Sequence, residues 1–191
     1  MKSSLLVVIA LVAAPACGDD RRPGLDYTNP PKGGALRLVR SKTPPTSDTE
    51  IVLDLVVGDQ PLTGYSVGFD LPIDGALRVT EFVPGAALDP GQAPLAARAL
   101  VPTRGPLTGT LVTALSQKAS GPGAVATDTT LAPGSVLYTV RLERLSVAKD
   151  GIVVDGTADD FHLPSGGMRD RGGTTVVAAS DVAIGIIEVH R

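Results

Sequence analysis

From Tyr65 to Leu71 the chain alternates: Tyr65, Val67, Phe69 and Leu71 are apolar, and Ser66, Gly68 and Asp70 between them are small or polar. Successive side chains of a strand point to opposite faces, so this run predicts a half-buried strand with the apolar set inward. Pro72-Ile73-Asp74-Gly75 predicts a tight turn, and Leu77-Arg78-Val79-Thr80 a second strand that pairs with the first as a hairpin. Ser135 to Leu145 alternates most cleanly, with Val136, Tyr138, Val140 and Leu142 on one face and Thr139, Arg141 and Glu143 on the other. Glu50 to Val57 sets Ile51, Leu53, Leu55 and Val57 against Val52, Asp54 and Val56. Further strands are predicted over 35–40, 108–117, 174–179 and 181–190, with short ones over 99–102, 151–155 and 159–164. In the last long run, adjacent Ile186 and Ile187 call for a bulge or for cover on both faces. Residues 86–99 hold helix formers broken by Pro90, Gly91 and Pro94, which predicts a loop with at most one helical turn. Residues 118–132 and the glycine-rich segment 165–173 read as connections. No segment sustains a helical period over three turns, so the pattern predicts an all-β sandwich or barrel.

The N-terminal pattern differs. Lys2 gives a positive start, Leu5 to Ala14 is an apolar run of ten residues, and Ala14-Pro15-Ala16 offers small residues for a cut. Ten apolar residues fall short of the roughly 20 that span a bilayer. Residues 1–16 therefore read as an export signal. Ala14-Pro15-Ala16-Cys17 resembles a lipobox, which implies cleavage before Cys17 and acylation of its thiol. Cys17 is the sole cysteine, so no disulfide or cysteine-based zinc site forms within the chain. Residues 17–34 carry Pro23, Pro30, Pro31, four glycines and paired charges, and read as a flexible tether between the membrane and a domain over 35–191. The alternative is that part of it packs on the domain through Leu25 and Tyr27.

Composition narrows the class. The chain is 43% hydrophobic and 19% charged, which fits a folded domain and not a disordered one. Net charge is −3, and the only Lys/Arg run is Arg21-Arg22, so nucleic acid is not an expected partner. Aromatic residues are 3% with no tryptophan, which disfavours both a flat sugar-stacking platform and an aromatic-lined glycosidase cleft.

Tyr65 to Leu71, followed by Leu77-Arg78-Val79-Thr80 and Val83-Pro84-Gly85, resembles the opening strands of a cohesin domain. Gly134-Ser135-Val136-Leu137-Tyr138-Thr139-Val140 is similar to the Gly-x-Leu and alternating strand that cohesins carry later. Gly185-Ile186-Ile187-Glu188-Val189 is similar to their terminal strand, whereas Pro72-Ile73-Asp74 departs from the family's Tyr-Asp-Pro. The likeness spans residue 35 to the C-terminus. It implies an antiparallel jelly-roll-like sandwich of about nine strands, a fold that cohesins share with carbohydrate-binding modules.

Candidate chemistry is sparse. His162 and His190 are the only histidines, and a triad of His162 with Ser165 or Ser180 lacks the Gly-x-Ser-x-Gly elbow. Asp155-Gly156-Thr157-Ala158-Asp159-Asp160 clusters oxygen ligands suited to calcium, without the spacing of a known calcium loop. The expectation is a protein with no catalytic residues, no metal and no cofactor, lipid-anchored through Cys17 to the cell envelope, at the outer membrane or cell surface. Its sandwich binds a partner, a protein in preference to a polysaccharide. A carbohydrate-binding module and an accessory envelope lipoprotein without a specific ligand are the alternatives. The polar faces of strands 63–71 and 135–145 are the candidate surfaces.

Overall fold

A computed structural model describes residues 24–72, 77–88, 95–107, 109–117, 127–144, 153–154 and 166–189. The described residues contain no α-helix, only two 3₁₀ turns at Ala86–Leu88 and Ala179–Asp181. The strands are β1 (Leu25–Thr28), β2 (Leu36–Arg40), β3 (Glu50–Val57), β4 (Leu62–Gly64), β5 (Ser66–Pro72), β6 (Leu77–Pro84), β7 (Leu95–Leu100) and β8 (Thr110–Gln117). They continue as β9 (Thr129–Leu131), β10 (Val136–Arg144), β11 (Val153–Val154), β12 (Gly167–Arg169), β13 (Thr175–Ala178), β14 (Val182–Ala183) and β15 (Ile186–Val189).

Two five-stranded sheets form the sandwich, in the orders β14-β2-β3-β10-β6 and β13-β12-β5-β8-β7. Period-two alternation turns Leu36, Leu38, Leu53, Leu55, Val140 and Leu142 of the first sheet inward. Val67, Phe69, Leu71, Leu111, Leu115 and Met168 face them from the second. One polar contact crosses this core: the Tyr138 hydroxyl lies 3.1 Å from Thr113 Oγ1, which in turn reaches the Phe69 carbonyl at 3.4 Å. Desolvation holds the Tyr138 phenol well above the ordinary tyrosine range. The Phe82 ring packs against it at 4.9 Å between centroids.

The all-β expectation holds, and the strand over 50–57 has the expected bounds. Several local expectations are corrected. β5 and β6 do not pair as a hairpin: β5 pairs with β8 and β12, and β6 with β10, so the chain crosses from one sheet to the other between them. Alternation fixes which residues face inward but not which sheet receives a strand, and both strands serve the same core. Tyr65 sits at a bend between β4 and β5 and is only half-buried, whereas Val67, Phe69 and Leu71 are core. A register shift between Val136 and Tyr138 turns Leu137 inward and leaves Val136 36% exposed. Val52 and Val56, on the outer face of β3, are also buried, and Arg141 and Arg37 stand beside them in register.

Three strands lie where loops were expected: β7, β12, and β9 within the connection 118–132. β7 runs through Leu95-Ala96-Ala97-Arg98-Ala99-Leu100, a sequence of weak β preference held by six registered pairs with β8. β12 falls within the glycine-rich segment. Gly167, at φ +137°, packs against the Val177 carbonyl where a side chain has no room, and Met168 fills the core. The predicted strand over 181–190 is split. β14 runs parallel to β2, and after Ile184-Gly185 the chain joins a separate three-stranded sheet, β1-β15-β11. Ile187 is buried there and Ile186 partly so.

That small sheet takes in Leu25 and Tyr27, the two residues of the alternative in which part of 17–34 packs on the domain. Leu25 and Tyr27 are 7% and 2% exposed, so residues 25–28 belong to the folded unit and not to a free tether. The glycines and prolines around them hid a four-residue strand with two buried apolar side chains.

Candidate functional site

The two outer faces of the sandwich are built from different residues. On the first sheet, β3, β10 and β6 carry charges in register. Arg141 donates to Glu50 and to Glu81, each at 3.1 Å, and Arg78 donates to Glu143 through two nitrogens at 2.9 and 2.5 Å. Thr139 donates to Asp54 at 2.6 Å, and Arg37 pairs with Asp59 at 3.5 Å. The Thr46 hydroxyl and amide also donate to Glu50, which with Arg141 hold its carboxyl below the usual carboxylate range. Glu81 and Glu50 in turn hold the Arg141 guanidinium above its own. Side-chain exposures of 14% for Arg141 and 11% for Glu50 show this pair partly covered on the outer face of the sheet. The outward residues of strand 135–145, expected as a candidate surface, therefore bind their own neighbours.

The second sheet presents an outer face of small residues. One row across the strands reads Ala178, Gly167, Gly68, Ala114 and Arg98. The next reads Arg169, Ser66, Ser116 and Ala96, and another Asp70, Val112 and Leu100. Ala114 and Arg98 are exposed, and Ser66, Gly68, Asp70, Val112 and Ser116 partly so. The patch of Gly167, Ser66, Gly68, Ala114 and Ser116 carries no side chain larger than serine and no charge. Asp70 on β5 and Arg98 on β7 flank it, and Arg169 stands at its end with its guanidinium donating to the Gly173 carbonyl at 2.8 Å. A Cβ on Gly68 would stand 3.0 Å from the Thr113 carbonyl oxygen, tighter than ordinary contact.

A cleft of about 520 Å3 lies between β1 and the loop 41–49, lined by Leu25, Arg40, Pro44, Pro45, Glu50 and Val52 among others. Arg40 in it pairs with Asp26 and donates to the Tyr27 carbonyl at 2.8 Å, and Glu50 is engaged as above.

No family model and no curated protein matches the chain. Among solved structures it is similar to a non-cellulosomal cohesin from the hyperthermophilic archaeon Archaeoglobus fulgidus, at 12% identity and a TM-score of 0.40, over 80% of this chain and 86% of that one.

Of the residues singled out in the sequence, Ser66, Gly68 and Asp70 lie on β5, in the middle strand of the small-residue face. Ser180 is exposed in the second 3₁₀ turn. Cys17, Asp155, Asp159, Asp160, His162, Ser165 and His190 lie outside the described residues. Among the described residues, no group of three or more His, Cys, Asp or Glu side chains is placed to hold a metal ion. Sequence reasoning missed Ala114, Ser116 and Arg98. The alternation over 110–117, with Leu111, Thr113 and Leu115 inward, carried the signal for the first two, but only the strand order places them beside β5.

Proposed function

We propose that the protein is a non-catalytic, protein-binding module and that its partner docks on the outer face of β13-β12-β5-β8-β7. The observation that carries this reading is the contrast in outer faces. Small side chains let a partner approach the sheet closely over a wide area, at little cost in side-chain ordering. The flanking Asp70 and Arg98 supply opposite charges that can orient it. The other face has its charges satisfied internally, so a partner there would have to displace existing ion pairs.

The same reading places the module on a bacterial envelope membrane, at the outer membrane or cell surface, through acyl chains on Cys17. Each buried CH2 adds about 0.8 kcal/mol, so more than one chain gives firm anchoring. The Ala14-Pro15-Ala16-Cys17 sequence supports this. Fractionation tests it: the Cys17→Ala protein leaves the membrane fraction, and its retention there would remove the anchor from the proposal.

The docking face is tested by crosslinking in envelope extracts with three proteins: the unsubstituted chain, Ala114→Arg and Arg78→Ala. A protein adduct lost in Ala114→Arg and kept in Arg78→Ala supports the face. An adduct indifferent to Ala114→Arg rejects it, and a specific hit on a glycan array with no protein adduct would replace the protein partner by a polysaccharide.

A further inference from the structure

We propose that β1 is a strap that fastens the N-terminal connection to the sandwich and so fixes how far the domain stands from its anchor. The anchoring half of this statement rests on the lipid reading of Cys17; the fastening does not.

The strap is held by more than its ladder. Leu25 to Thr28 pair with Val189 to Ile186, and the Leu25 amide donates to the Asp48 carbonyl at 2.7 Å. Leu25 and Tyr27 are buried in the main core cluster. The Tyr27 hydroxyl sits at a three-way junction: it donates to the Leu38 carbonyl of β2 at 2.6 Å and accepts from the Gly185 amide at 2.7 Å. One side chain thus ties β1 both to the first large sheet and to the segment by which the chain leaves that sheet. Gly185 is shaped to receive it. A Cβ there would stand 2.8 Å from Tyr27 Cζ and well inside contact with the Thr28 carbonyl oxygen. From outside, Arg40 pairs with Asp26 and donates to the Tyr27 carbonyl, while its amide donates to Asn29 Oδ1 at 2.6 Å. Every one of these bonds joins residues 25–29 to β2, to the segment that follows β14, or to the loop before β3.

The consequence is a matter of chain length. From Cys17 to Leu25 the chain advances eight residues, a reach of at most about 26–29 Å at full extension. Released as far as Ala35, eighteen residues would reach about 59–65 Å. Fastening β1 more than halves the range over which the binding face can search. It also keeps the end of the sandwich that carries loop 41–49 next to the anchor, because Leu25 is bonded to Asp48 in that loop.

Hydrogen exchange on the full-length chain in detergent tests the strap. In the unsubstituted protein, β1 amides exchange more slowly than those of loop 41–49. Tyr27→Phe removes both hydroxyl bonds and keeps the ring. It is expected to speed exchange of β1 and Gly185 by about 10-fold or more while β3 and β10 stay unchanged. Gly185→Ala, which acts on the same junction from the other side, is expected to do the same. Fast β1 exchange in the unsubstituted chain, or equal acceleration of β3 and β10, would overturn the strap. For the distance, a donor dye on Thr130→Cys in vesicles with acceptor lipid is expected to transfer less energy when Gly185→Ala is added, and unchanged transfer with β1 open would overturn that half. Failure of the anchor would show separately, as Cys17→Ala protein that stays with the membrane.

Discussion

The two outer faces of this sandwich rest on the same core and have been finished in opposite ways. Over β3-β10-β6, alternation places Glu50, Asp54, Arg78, Glu81, Arg141 and Glu143 outward, and the register brings opposite charges together. Over β12-β5-β8, it places Gly167, Ser66, Gly68, Ala114 and Ser116 outward, and little projects. A charged face that binds itself resists both edge-to-edge misassembly and casual partners. A face of glycine, alanine and serine gives up cross-strand side-chain pairing, which contributes roughly 0.2–1 kcal/mol per pair. It keeps a flat approach to the backbone in exchange. That difference, more than any single residue, sets the two faces apart.

The comparison can be broken in several ways. The largest effect is expected where both faces depend on one core. Phe69→Ala removes a side chain 2% exposed beneath the small-residue face and should lower stability by about 3–5 kcal/mol in a denaturant titration. On the charged face, Arg141→Ala leaves the partly buried Glu50 carboxylate without its guanidinium and should cost about 1 kcal/mol. If that loss were within error, the ion pairs would be ornament and the two faces equivalent in stability.

A pH series sharpens the same point. The Glu50 carboxyl is held below its ordinary value, first by the Thr46 hydroxyl and also by Arg141. The stability it contributes is present above the ordinary carboxylate range and is lost as pH falls through its lowered folded value. Melting temperature should therefore fall less on acidification in a Thr46→Ala, Arg141→Ala double variant than in the parent. Tyr27 and Tyr138 work in the alkaline direction. Burial raises both phenols, so stability is intact below the ordinary tyrosine value and falls as pH rises above it, readable as phenolate absorbance that grows in step with unfolding. The smallest effect on stability is expected on the small-residue face: Ala114→Arg should change it by no more than about 0.5 kcal/mol while abolishing the adduct that the proposed docking predicts. A large destabilisation would mean that this surface is covered in the folded protein.

Alternation alone located most of the core, because period-two patterning depends only on which side chains avoid water. Val67, Phe69, Leu71, Tyr138, Val140 and Leu142 were legible in this way. It also marked Ser66, Gly68 and Asp70 as outward. It could not show that Ala114, Ser116 and Arg98 complete their surface, since strands remote in sequence become neighbours only through sheet order. β7 was hidden because its alanines have little strand preference of their own and take their conformation from β8. β12 was hidden because its glycine reads locally as a loop and becomes a strand residue only against β13.

The sequence by itself determined that this is an all-β protein, that its aromatic residues are few and include no tryptophan, and that Cys17 is its sole cysteine. The tertiary structure decided the rest. It sent β5 and β6 to different sheets, paired the charges of one outer face while leaving the other smooth, and drew Leu25 and Tyr27 out of an apparent tether into the core. The reason is the same in each case. Hydrophobicity and alternation are properties of a residue and its neighbours in sequence, whereas pairing partners, bulges and a hydroxyl that bridges β2 and Gly185 are set by segments that meet only after the chain has folded.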